Sequence, residues 1–136
     1  MGYDLIARRK GAMDAWVHIG DWRKILEETG ANYILNFGTY TINPSKHIRK
    51  LKNGCDPTMN DGYSVTPGEA KAMAKVFRGY VYVKRAIKKD WDEMSPPDRQ
   101  RLLHQLPNAA PPEDWFIDKI EELAGFCEQS GGFRIL

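Results

Sequence analysis

The run SVTPGEAKAMAKVFRGYVYVKRAIKK, residues 64–89, commits the chain to one long amphipathic helix around which the rest must pack. Thr66 reads as the N-cap, Pro67 sits at the first helical position where a missing N–H costs nothing, and Glu69 completes a capping box. Val65 before the cap can staple onto Ala70. Ala70, Met73, Ala74, Phe77, Tyr80 and Val81 form a wide apolar face, with Ile87 extending it at one margin. Lys71, Lys75, Arg78, Tyr82, Arg85 and Lys89 follow at spacings of 4, 3, 4, 3 and 4. They draw one straight basic stripe with an aromatic in it, expected about 180° from the apolar face at 100° per residue. Gly79 and the β-branched VYV weaken the middle. A break there would cut the stripe in two.

The flanking segments read as shorter elements. Tyr3, Leu5 and Ala7 alternate with Asp4, Ile6 and Arg8, the period of a half-buried strand. AWVHI, from Ala15 to Ile19, reads as a second strand, and KGAMD can turn the chain between them into an antiparallel hairpin. Asp21 is the expected N-cap of a helix that buries Trp22, Ile25 and Leu26 and stops at Gly30. NYILNF fits strand or helix. A short helix is expected after Asn43-Pro44, and CDPTMNDGY is turn chemistry throughout. Ser95 caps a helix that runs from Pro96 to about Gln105, and PNAAPP is a linker. The last helix is expected from near Pro112 to about Ser130, with Phe116, Ile120, Leu123 and Cys127 as its buried seam and Gly131-Gly132 as its end. FRIL then closes as a strand. The fold class is α+β: a mostly helical single domain over residues 1–136, with a small antiparallel sheet formed by the N-terminal hairpin and the C-terminal strand.

Composition narrows the function classes. Of 136 residues, 42% are hydrophobic and 28% charged, as in ordinary globular proteins. No apolar run approaches the roughly 20 residues of a membrane span, and MGYDLIARRK lacks a signal peptide's apolar stretch. A cytoplasmic protein with no membrane partner is expected. The net charge of +2 is unevenly spread: residues 46–89 carry eleven basic and three acidic side chains, residues 90–130 three basic and ten acidic. Such asymmetry fits a nucleic-acid-binding half beside an acidic half, or two segments that face each other and neutralise.

Three stretches carry a resemblance: MGYDL at 1–5, NDGYSVTPGEAKAMA at 60–74 and FCEQSGGFRI at 126–135. Together they resemble a loose group of small bacterial and phage proteins that open on Met-Gly-x-Asp-Leu and close on Ser-Gly-Gly-Phe-x-Ile. The resemblance implies an accessory protein of a bacterium or phage; it brings no activity and no site residues. The basic segment 46–52 and the stretch KRAIKKDWDEMSPPDRQRLLHQLPNAAPP fall outside it. A function particular to this chain would reside there.

Catalytic signals are thin. There is no glycine-rich phosphate loop and no Gly-x-Ser-x-Gly elbow. His18, His47 and His104 show no metal-ligand spacing, so no metal or other cofactor is expected. Cys55 and Cys127 read as free thiols. Asp90, Asp92 and Glu93 read as a solvated acidic turn, with a shared proton as the sharper alternative. The basic residues say more. KHIRKLK places Lys46, Arg49, Lys50 and Lys52 in seven residues, and the stripe adds Lys71, Lys75, Arg78, Arg85 and Lys89. Tyr82 and Tyr40 can stack bases or sugars, while the same stripe also reads as a site for an acidic protein surface or as the solvated face of a helix. Three readings follow. The first is a non-enzymatic interaction protein, phage- or mobile-element-encoded, that binds a host protein or protein–nucleic-acid complex, for instance as an inhibitor. The second is a DNA- or RNA-binding accessory protein that uses the basic face. The third is an enzyme with a site assembled from scattered residues.

Overall fold

The computed structural model describes residues 1–35 and 62–136. The expected helix after Asn43-Pro44, the loop from Cys55 up to residue 61, and the candidate binding residues Lys46, Arg49, Lys50 and Lys52 lie outside the described residues, as do Tyr40 and His47; the end of the expected loop is strand instead, with Tyr63 buried.

Strand β1 (Gly2–Ala7) pairs antiparallel with β2 (Ala15–His18), Tyr3 opposite Val17. The chain enters helix α1 (Ile19–Thr29) directly from β2. The cap is His18 and not Asp21: its Nδ1 accepts from the Gly20 N–H at 3.2 Å, so the imidazole does the work of a capping carboxylate. Asp21 lies within the first turn, where its negative charge complements the positive end of the helix dipole. Trp22, Ile25 and Leu26 are buried as their spacing requires, and Gly30 ends the helix at φ 82°. A single 3₁₀ turn, Ala31–Tyr33, follows.

Strand β3 (Tyr63–Val65) leads into helix α2 (Pro67–Glu93). The capping box forms: the Glu69 N–H donates to Thr66 Oγ1 at 3.1 Å, and the Thr66 N–H donates to Glu69 Oε1 at 2.9 Å. Thr66→Ala should therefore cost about 1 kcal/mol, because first-turn amides lose their partners. A denaturant midpoint equal to the parent's would refute this. Val65 and Ala70 are both buried, as the staple requires. The helix does not break at Gly79. Glycine costs about 1 kcal/mol there, but Phe77 and Val81 on either side are anchored in the core, and packing outweighs propensity. Ile87 does not extend the buried face; it is exposed.

Helix α3 (Pro96–Gln105) is capped by Ser95, whose Oγ accepts from the Asp98 N–H at 3.4 Å. Arg99 folds it back on α2: its Nε donates to the Trp91 carbonyl at 2.9 Å and its Nη2 to the Asp92 carbonyl at 3.0 Å, while its guanidinium lies 5.7 Å from the Trp91 ring centroid. These bonds add donors to carbonyls in the last turn of α2, that of Trp91 also accepting from the Met94 N–H at 3.2 Å. Helix α4 (Asp114–Gln129) buries Phe116, Ile117, Ile120, Leu123, Ala124 and Cys127. Strand β4 (Phe133–Ile135) completes the sheet in the order β2-β1-β4-β3, every pair antiparallel. The C-terminal strand is thus central, and β3 is an added fourth strand. Helices cover the face carrying Tyr3, Leu5, Val17, Tyr63, Val65, Phe133 and Ile135, which join one hydrophobic core.

Candidate functional site

The basic stripe is present on α2, but not on the far side from the core. At 100° per residue its mean direction is only about 110° from that of the buried face. The expected 180° was too wide. One flank of the stripe therefore borders α4, which runs antiparallel beside α2. Arg78 Nη2 meets Glu128 at 2.6 Å, and Arg85 meets Glu121 at 2.5 Å and Asp118 at 3.1 Å. The hydrogen bonds that Arg85 donates to Glu121 and Asp118 raise its pKa, and the Arg85 guanidinium holds the Glu121 carboxyl below its ordinary value. The two oppositely charged segments do face each other here.

The ion pairs divide the stripe. Lys71, Lys75 and Lys89 form no ion pair among the described residues, and Tyr82 is 79% exposed. Lys71, Ala74, Lys75, Arg78 and Glu128 line a shallow groove of about 480 Å³ between α2 and the last turns of α4. Three of its five lining residues are cationic; Ala74 and the side-chain stems give it an apolar floor, and Glu128 is engaged by Arg78.

Beyond Val81 the structure changes character. From residue 82 to residue 115 no side chain is buried, although the segment contains the end of α2, all of α3 and the linker to α4. This helical arm is held to itself by Arg99 and to α4 by Arg85. Val83 is 50%, Leu106 58% and Trp115 53% exposed along it. Nothing in the periodicity of α2 revealed the arm, because the same apolar residue types continue past Val81.

A second cleft, of about 530 Å³, opens where Lys24 and Glu28 of α1 face Tyr80 and Lys84 of α2 under the linker. The Tyr80 hydroxyl donates to Glu28 at 3.0 Å. Burial, then the Glu28 hydrogen bond and charge, push its pKa up, so it remains a donor. Glu28 also meets Lys24 at 3.9 Å.

The remaining polar residues are otherwise occupied. Burial pushes the Cys127 thiol up to about 12, and the charge of Glu128 adds to the shift. At neutral pH it is a thiol with no nucleophilic character. His18 caps α1, and His104 is exposed at the end of α3. Asp90, Asp92 and Glu93 are exposed, and Asp92 pairs with Lys88 at 3.3 Å. Among the described residues no group of three His, Cys, Asp or Glu side chains is placed to hold a metal, and no helix is long and apolar enough to cross a membrane. Compared with protein-family models, curated proteins and solved structures, the chain matches none of them.

Proposed function

We propose that this chain is a non-enzymatic interaction protein of a bacterium or its phage. It acts in the cytoplasm by binding a host protein, alone or within a protein–nucleic-acid complex, and so can inhibit the system that partner belongs to. The helical arm carries this reading. Ordering 34 residues, 82–115, with no fully buried side chain among them runs against chain entropy with little hydrophobic return inside the protein itself, Trp91, Met94, Leu102 and Leu103 being only half-buried. The arm nevertheless holds large apolar and aromatic side chains in water, Tyr82, Val83, Leu106 and Trp115. Interfaces concentrate their binding energy in such aromatic anchors. The resemblance of the two ends and the capped helix to small bacterial and phage proteins supports the assignment of source. It is also consistent that the arm falls in the stretch outside that resemblance.

The test is capture from a nuclease-treated bacterial lysate by the immobilised protein and by a Tyr82→Ala, Val83→Ser double variant. Both side chains are exposed, so folding should be unaffected. The parent is expected to retain a nuclease-resistant protein that the variant binds at least about tenfold less well, the effect of losing a modest hot spot. Equal capture by parent and variant, or capture abolished by nuclease, would overturn the reading.

A further inference from the structure

The division of the stripe leaves its first half, Lys71, Lys75 and Arg78, beside the last turns of α4. The structure brings a second basic cluster, which the helix periodicity could not reveal, to the same place. Arg8, Arg9 and Lys10 open the turn between β1 and β2. That turn is fastened to the end of α4. The Arg9 N–H donates to the Ser130 carbonyl at 2.8 Å, and the Arg8 N–H is shared between the carbonyls of Ser130 at 3.1 Å and Gly132 at 3.0 Å. Gly131 approaches so closely that a Cβ there would lie 3.2 Å from the Cβ of Arg9. Two residues before Ser130, Glu128 holds Arg78. On the other side, Gly132 packs against the β3–α2 junction; a Cβ there would lie 3.0 Å from the Pro67 nitrogen. Lys71 stands one turn into the helix from that point. The α4 terminus and its Gly131-Gly132 turn are thus bracketed by Arg8, Arg9 and Lys10 on one flank and by Lys71, Lys75 and Arg78 on the other. All six side chains are exposed.

The carboxylates that the structure places among them are already engaged. Glu128 pairs with Arg78, and Asp14 Oδ1 accepts from the Ala7 N–H at 2.8 Å. Six cations against two occupied carboxylates leave a strongly positive end on a molecule whose net charge is only +2. The buried capping carboxylate of Glu69, tied inward to the Thr66 N–H, lowers that excess by one charge and does not cancel it.

We infer that this end of the molecule, Arg8, Arg9, Lys10, Lys71, Lys75 and Arg78 around the terminus of α4, is a binding surface for the phosphodiester backbone of nucleic acid. The choice of nucleic acid over an acidic protein follows from what surrounds the charges. Protein interfaces draw their energy from buried aromatic and aliphatic anchors. Tyr82, Val83, Leu106 and Trp115 lie on the arm, whereas the six residues of the basic end include no aromatic or aliphatic anchor. Phosphate contacts need positive groups arranged along a track and no apolar core, and they fix position without reading sequence. The groove beside Lys71 and Lys75 supplies the track. The inference adds a second ligand class to the proposed function. It stands or falls apart from the arm, because the two surfaces share no residue.

The test measures binding of the intact protein to a 20-nucleotide single-stranded DNA, the same sequence as a DNA duplex, its RNA counterpart, and poly-glutamate, from 50 to 300 mM salt. The parent should bind at least one of the nucleic acids, with log affinity falling linearly against log salt. The Arg9→Gln, Lys71→Gln, Lys75→Gln variant should flatten that slope by about 0.9 per removed contact on duplex, or about 0.7 on a single strand, two to three units in all. A Lys84→Gln, Lys88→Gln, Lys89→Gln control on the arm should leave the slope unchanged. Which nucleic acid binds most tightly separates DNA from RNA and single strand from duplex. Should the triple variant fail a thermal-melt check, Lys71→Gln with Lys75→Gln alone should flatten the slope by one to two units. The inference is overturned if the parent binds no nucleic acid at 50 mM salt, if these variants keep the parental slope, if the arm control loses as much, or if poly-glutamate binds as tightly as the nucleic acids.

Discussion

A chain ending at Gly131 should fail to fold. Residues 132–136 contain β4, the strand between β1 and β3, so their removal opens the middle of the sheet. Phe133 and Ile135 are fully buried, and the Phe133 ring packs 5.1 Å from that of Phe126. Burying each such side chain is worth roughly 1.5–3 kcal/mol. Two of them approach the whole stability of a small domain, about 5–15 kcal/mol. The loss does not stop there. Strand β3 pairs only with β4 among the described residues, so Tyr63 and Val65 lose their place and the start of α2 is cut loose from the sheet. Truncated protein is expected in the insoluble fraction, or soluble without a cooperative melt. A sharp melting transition near the parental temperature would show that β4 is dispensable.

This outcome was partly legible beforehand. FRIL alternates and follows Gly-Gly, which suffices to expect a closing strand. Its central position was not legible, because β3 has three residues, too few to show a period. The capped helix was fully legible, since Thr66, Pro67 and Glu69 make their interactions within four positions of one another. The start of α1 was not, because an imidazole cap lies outside the residue types that a cap search favours. The candidate site divides in the same way. The spacing of the stripe can be read along the chain. Its pairing with α4 cannot, because Arg78 and Glu128 are 50 positions apart and Arg85 and Glu121 are 36 apart. Arg8, Arg9 and Lys10 escaped notice for the same reason. They belong with Lys71 only through backbone bonds to Ser130 and Gly132. The arm is a further case: burial stops at Val81 although the amphipathic pattern continues, and only the position of α4 decides where it stops.

Among the described glycines at positive φ, Gly132→Ala is expected to be the most damaging. Its φ of +92° is one that an alanine adopts only under strain, and the new Cβ would lie 2.6 Å from the Val65 carbonyl oxygen and 3.0 Å from the Pro67 nitrogen. Those atoms are backbone at the junction of β3 with α2, so relief requires moving a strand or a helix start. The cost should be about 3 kcal/mol, above the ordinary penalty for alanine at positive φ. Gly131→Ala is a graded comparison. Its φ is +67°, but the nearest atom is the Arg9 Cβ at 3.2 Å, so the neighbouring turn has to give by only a few tenths of an ångström. About 1 kcal/mol is expected. Gly79→Ala should have the opposite sign. It lies inside α2 with nothing within 4 Å of the added methyl, so helix propensity alone decides, and the variant should gain about 0.5–1 kcal/mol. Urea midpoints measured side by side should fall in the order Gly79→Ala above parent, parent above Gly131→Ala, and Gly131→Ala above Gly132→Ala. The parent and Gly132→Ala unfolding at one urea concentration would mean that the turn does not clamp the β3–α2 junction. The seat of Arg8 against the Gly132 carbonyl, on which the basic end is built, would then lose its structural basis.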